Sequence, residues 1–163
     1  MPNLIKQQCK INSRFAGSMR NNLIEMLDEH SLNWKLHIDS CSEPFEEKDY
    51  LHHTTLIIPY PVFINNKNYT GSNSKIMDNE VLYSFVKKHF YNEIEELSNT
   101  LIIPLGKVVE EVLEQMIKEN SIKKEQCLLG FPHPSGANRH RKNQFKANKE
   151  KLLKIIEDYF KNN

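Results

Sequence analysis

The sequence predicts an α/β fold, a three-layer αβα arrangement whose short, mostly parallel sheet is covered by helices on both faces. Three observations lead there. Short apolar runs of strand length recur at Thr54–Ile58, Thr100–Leu105 and Gln126–Leu129. Between and after them lie longer stretches in which apolar residues return at helical spacing. Turn signals rich in Asn, Gly, Ser and Pro separate the two kinds. Strands alternating with helices in this way build parallel sheets clad on both sides.

A chain of 163 residues, 39% hydrophobic and 26% charged, is expected to be one domain, 1–163, long enough for a real core. Within it, residues 1–50 read as an irregular and helical N-terminal part and residues 51–163 as the α/β core. No run approaches the roughly 20 apolar residues of a membrane helix. Met1–Lys10 lacks the apolar centre of a signal peptide. Cys9, Cys41 and Cys127 are odd in number, far apart and without a CxxC pair, which suits a reducing compartment. The expected location is therefore cytoplasmic.

Met1–Ile11 shows no clear period. From Phe15 to His30 the residues Phe15, Met19, Leu23, Met26 and Leu27 share one helical face, with Gly17 a weak point. Ser31–Tyr50 reads as an irregular connection. His52–Ile64 is the first expected strand, rich in β-branched residues, and Pro59 and Pro61 confine it to an edge or fray it. Asn65–Asn68 signals a turn and Tyr69–Lys75 a loop. Asp78 is the expected cap of a helix carrying Val81, Leu82, Phe85, Val86, Phe90, Ile94 and Leu97 as an apolar stripe. Thr100–Leu105 is a strand, Gly106 a sharp turn, and Lys107–Glu119 a helix. Gln126–Leu129 is a further buried strand. Asn143–Phe160 is the last helix, with Phe145, Leu152, Ile155, Ile156, Tyr159 and Phe160 on its apolar side.

Between the last strand and the last helix runs a loop, Gly130–Arg141, with two prolines, two glycines, a Ser, an Asn, two His and two Arg. Polar loops on rigid elements are where binding and catalysis concentrate. From Arg139 to Lys154 there are seven Lys or Arg and one acid, Glu150, whereas Asp78–Glu119 holds nine acids and four Lys. A basic end on a chain of net charge +1 points to an anionic partner, nucleic acid among them. A solvated helix face would have the same composition. In open parallel sheets ligands bind beyond the carboxyl ends of the strands, which here are Pro59–Tyr60, Gly106 and His133–Asn138.

Within the loop, a neutral His133 can donate to a carbonyl oxygen that gains charge. The alternative is a histidine that merely bonds the loop backbone. Ser135 and Gly136 can offer backbone N–H groups to a phosphate, or form an ordinary turn. Arg139, Arg141 and Lys142 suit backbone phosphates, or stand solvated. No metal site is expected: His52 and His53 are adjacent, so on a strand they point to opposite faces. Cys127 opens an apolar strand and reads as packing. A Ser135–His133 hydrolase lacks the GxSxG elbow.

His133-Pro134-Ser135 followed by Gly136, Ala137, Asn138 and Arg141 resembles the second signature of the uracil-DNA glycosylase superfamily. Thr100–Gly106 before a helix resembles that family's middle strand and turn, and Thr54–Pro61 resembles its base-reading strand, so the likeness covers about Leu51–Phe160. The resemblance implies a uracil-DNA glycosylase-like fold and a DNA-repair enzyme that takes a uracil or related damaged base out of the stack and hydrolyses its N-glycosidic bond. It implies that His133 stabilises charge on the base carbonyl, that Thr55 and Gly106 contact the base, and that Ser135, Gly136, Ala137, Asn138, Arg139, Arg141 and Lys142 meet the DNA. It implies DNA as partner, no membrane, and no metal or cofactor for the chemistry.

Two departures stand out. Nothing before Leu51 matches the family's first motif, the opening strand and the Gly/Pro loop that positions the attacking water. The chain therefore reads as a member that begins after that motif and lacks the first strand. Thr55 stands where the family commonly has an amide, and a hydroxyl cannot offer an amide's paired donor and acceptor. Two further readings accordingly stay open: a catalytically inactive nucleic-acid-binding module of the same fold, and a plain α/β interaction protein.

Overall fold

The computed structural model describes residues 17–69, 75–97 and 99–162. The expectations for Met1–Ile11, Cys9, Phe15 and residues 70–74 fall outside these. The described residues form two compact units, one from the described part of Met1–Thr54 with Phe131–Asn162, the other from Thr55–Gly130.

In the first unit, α1 spans Ser18–Glu29. Gly17 precedes it at φ 65°, a left-handed value that glycine adopts without strain. Leu23, Met26 and Leu27 are its buried face, the spacing of an amphipathic helix. The helix stops at His30, and Ser31 turns the chain at φ 58°. The stretch expected to be irregular holds a short helix, α2, at Leu32–Lys35 and single turns at Glu43–Phe45 and Asp49–Leu51. Asp28 ties this stretch to α1: its carboxylate accepts the Cys41 N–H at 2.7 Å and the Ser40 hydroxyl at 2.8 Å.

In the second unit, residues 55–62 enter no strand among the described residues, although Val62 O accepts the Tyr69 N–H at 2.8 Å. Strand β1, Phe63–Ile64, pairs antiparallel with β2, Lys67–Asn68. Asn65 and Asn66, at φ 50° and 61°, make the left-handed turn that two-residue hairpins require. The expected strand is thus reduced to its last two residues. Pro59 and Pro61 have no N–H to give a ladder. Between Thr100–Leu105 and Gln126–Leu129 the expected parallel pairing is present as one bridge, Ile102 to Cys127. Ile102 N–H donates to Gln126 O at 2.7 Å, and Leu128 N–H to Ile102 O at 2.9 Å.

Helix α3, Glu80–Phe85, runs through a π-helical segment, Val86–Tyr91, into α4, Asn92–Glu96. Its cap is Asn79, not Asp78: Asn79 Oδ1 accepts the Leu82 N–H at 3.0 Å. The wider π turn keeps Leu82, Val86, Phe90 and Ile94, four apart, on the buried face. Val81 and Phe85, expected in that stripe, are turned out and are 64% and 42% exposed. Helix α5, Lys107–Lys118, buries Val112, Leu113 and Met116 against the same core. Glu119 joins the two helices, accepting from Tyr83 Oη at 2.9 Å and facing Lys87 Nζ at 3.2 Å. The first unit closes with α6, Arg141–Asn162, which buries Phe145, Leu152, Ile156 and Tyr159. Among the described residues no helix is long and apolar enough to cross a membrane.

Candidate functional site

The His133 loop is built by α1 beneath it and by its own side chains. On α1, Ser18, Asn22 and Met26 recur every four residues and so share a face, and His30 follows at the same interval. Asn22 Nδ2 donates to Pro134 O at 2.8 Å. A Cβ added at Gly136 would meet Ser18 Oγ at 3.4 Å, an ordinary contact, which places α1 directly beside the loop. Pro134 is fully buried.

His133 itself is half-buried. Its Nδ1 lies 3.1 Å from the Ser135 backbone nitrogen. A backbone N–H can only donate, so Nδ1 holds a lone pair, and in the neutral ring the proton sits on Nε2. Burial pushes the imidazole pKa down, which favours that neutral form. The ring is therefore held as a neutral donor through Nε2, a form able to polarise a carbonyl oxygen.

Asn138 locks the loop. Its Nδ2 donates to His133 O at 3.2 Å and to Gln144 Oε1 at 3.0 Å, while its Oδ1 accepts the His140 N–H at 3.2 Å. Arg141 Nη1 donates to Ser135 O at 2.9 Å. Ser135 Oγ accepts the Ala137 N–H at 3.2 Å. The amides of Asn138, Arg139 and Arg141 donate to Ser135 O, Ala137 O and Asn138 O. Among the described residues, Gly136 alone of the amides from Ser135 to Arg141 has no acceptor. The loop's backbone is thus occupied with holding its own shape, and what it offers an anion is the Gly136 N–H and its cations. Gly136, Ala137, Arg139 and Lys142 are exposed; Ser135, Asn138 and Arg141 are half-buried.

Thr55 and Gly106 belong to the second unit. Gly106 precedes α5 at φ 112°, ψ 159°, a backbone region essentially reserved to glycine. Thr55 Oγ1 donates to Glu93 Oε2 at 2.6 Å. This carboxylate was hidden in the sequence among many acids on a helical face. The supporting role of α1 had a readable signal, polar Ser18 and Asn22 at the period of its apolar face. Cys127 is buried and its thiol pKa is pushed up to about 12 by burial, so it is held as a protonated packing group. An open depression of about 450 Å³ in the second unit is lined by Ile94, Ile117, Ser121, Ile122, Lys123 and Gln126, and none of the site residues lines it. Among the described residues no three His, Cys, Asp or Glu side chains gather as a metal site would need.

The chain belongs to the uracil DNA glycosylase superfamily, whose family model matches residues 11–158. That match begins well before Leu51, where the motifs begin, and takes in the α1 that supports the loop. The chain is 45% identical over 151 residues to the uncharacterized protein YoxB of Bacillus subtilis (strain 168), across 92% of this chain and 59% of that protein. It thus spans less than two thirds of that relative's length. No solved structure matches the chain.

Proposed function

We propose that the protein is a DNA-repair glycosylase-like hydrolase that removes uracil, or a related damaged base, after the base has been taken out of the stack. With the family goes its αβα layering with a parallel sheet, for which the Ile102–Cys127 bridge is the support within the second unit. The observation that carries the functional reading is the Ser135 N–H bond to His133 Nδ1. It leaves Nε2–H to donate to a base carbonyl. As the bond from C1′ to the base nitrogen breaks, the electron pair goes to the base and charge gathers on that carbonyl. Water adds at C1′ and its proton neutralises the released base. Donors aimed at developing charge act strongly because they need no reorganisation. Arg139, Arg141, Lys142 and the Gly136 N–H grip the phosphates on either side, offsetting the few kcal/mol that unstacking costs. Thr55 and Gly106 are assigned to the base.

The Thr55–Glu93 bond supports a second reading. A hydroxyl already donating to a carboxylate at 2.6 Å is poorly placed to read a base edge, which suits an inactive nucleic-acid-binding module. The test is release of uracil from single- and double-stranded oligonucleotides by the purified protein. The first reading expects release that falls by about 10²-fold or more in His133→Ala while DNA binding persists. Salt-sensitive binding without release selects the second. Absence of binding at low salt removes both and leaves an α/β interaction protein.

A further inference from the structure

His30 takes no part in the chemistry above, yet it is 1% exposed and stands among the aromatic residues at both ends of the loop. Its Nδ1 lies 2.7 Å from Met26 O. A carbonyl only accepts, so Nδ1 carries the proton, and Nε2 in the neutral ring is a lone pair. Nε2 is buried with no partner among the described residues. The ring meets Phe145 edge-on at 4.5 Å and lies 6.4 Å from Phe131. Phe131 comes two residues before His133, and Phe145 follows Arg141 by one helical turn. The face of α1 that ends in His30 also holds the loop's middle, through Asn22 to Pro134 O.

We propose that His30 is the positioning residue of the His133 loop, and that its neutral ring, set against Phe131 and Phe145, acts as a pH-sensitive latch. A charged ring would need an acceptor at Nε2, where the surroundings are apolar, and an unpaired buried cation is costly. The charged groups facing the ring are Lys149 from α6 and Glu29 from α1. They pair with each other at 3.6 Å, so their fields on the ring oppose. Along the chain, the titratable residue nearest to Phe131 is His133, two positions on. Burial holds the ring's pKa below the ordinary imidazole value. The stabilisation is therefore complete above the unfolded value of about 6.5 and is lost as pH falls below it. This opposes the usual trend, in which protonated histidines strengthen attraction to a polyanion.

The loop part of this inference stands without the DNA reading; only its effect on affinity rests on it. The test follows the His30 ring and the Gly136 and Ala137 amides by NMR from pH 7.5 to 5, beside anisotropy of a labelled oligonucleotide at fixed ionic strength. The loop amides are expected to move with the His30 midpoint, and Kd to rise by up to about tenfold per pH unit below it. His30→Phe keeps the aromatic contacts without a titrating group, so its loop should follow His133 alone, and His133→Ala should keep the His30 transition. Identical pH profiles for His30→Phe and the unsubstituted protein would overturn the latch. Should His30→Phe fail to fold, the unsubstituted protein decides: a His30 ring that titrates without moving the loop amides overturns it equally. Loop amides that follow His30 in a protein that binds no DNA would support the latch and count against the proposed function.

Discussion

The chain contains two Pro-x-Pro segments that each bracket a ring, Pro59-Tyr60-Pro61 in the second unit and Pro132-His133-Pro134 in the first, and the structure treats them differently. Both deny the backbone two N–H donors. Around His133 the loss is made good: Ser135, Asn138, Arg141 and Asn22 return hydrogen bonds to the loop from four directions. Around Tyr60 the described residues return no comparable set of hydrogen bonds. From Thr54 to Pro61 no backbone group bonds another described backbone group, and Tyr60 is 56% exposed. Two prolines alone do not make a rigid site. What fixes the imidazole is the set of short polar side chains placed within eight residues of it, with a helix behind them. A preorganised donor needs such support, because each degree of freedom left open weakens its preference for the transition state.

Substitutions can break this comparison. The largest expected difference is between Phe131→Ala and Tyr60→Ala. Phe131 is buried and its truncation should cost about 3–5 kcal/mol in denaturant unfolding. The exposed Tyr60 should change stability by no more than about 0.5 kcal/mol. Comparable losses at the two positions would show that the Tyr60 segment is as well packed as the loop. A smaller contrast is expected between Asn138→Ala, which removes three bonds and should cost about 1–3 kcal/mol, and Thr55→Val, which removes one and should cost about 1 kcal/mol.

Acid should weaken the first unit before the second. His30 and His133 both have pKa values lowered by burial. The stability they contribute is full above about pH 6.5 and declines as pH falls below it. Hydrogen exchange of loop amides, corrected for the intrinsic pH effect, should rise below that value earlier than exchange in α5. Uniform acceleration in both would deny the contrast. The smallest effect on stability is expected for Lys142→Ala, within about 0.5 kcal/mol. This variant should nonetheless lower the slope of log binding constant against log salt by about 1 if Lys142 meets a phosphate.

The helices were legible because each is set by local periodicity. The apolar faces of α1, α5 and α6 were readable almost residue by residue. The sheet was not, because a strand needs partners from elsewhere in the chain. The apolar runs at Thr54, Thr100 and Gln126 looked alike in sequence, yet the described residues give the last two a single bridge and the first none. Val81 and Phe85 were misplaced because each precedes a buried residue, Leu82 and Val86, by one position, which turns it about 100° round the helix from the buried face. In the loop, His133 and its cations stood out by residue type. The internal roles of Asn138 and Arg141 did not, since an amide or guanidinium that holds a loop looks the same in sequence as one that holds a phosphate.

The chemistry proposed for His133 depends on a neutral ring with its proton on Nε2. Nitrogen-15 NMR of the ring at pH 7 tests it without any substrate. Nδ1 is expected unprotonated and Nε2 protonated, with this state lost in acid only below the ordinary imidazole value. A proton on Nδ1, or an imidazolium at neutral pH, would contradict it.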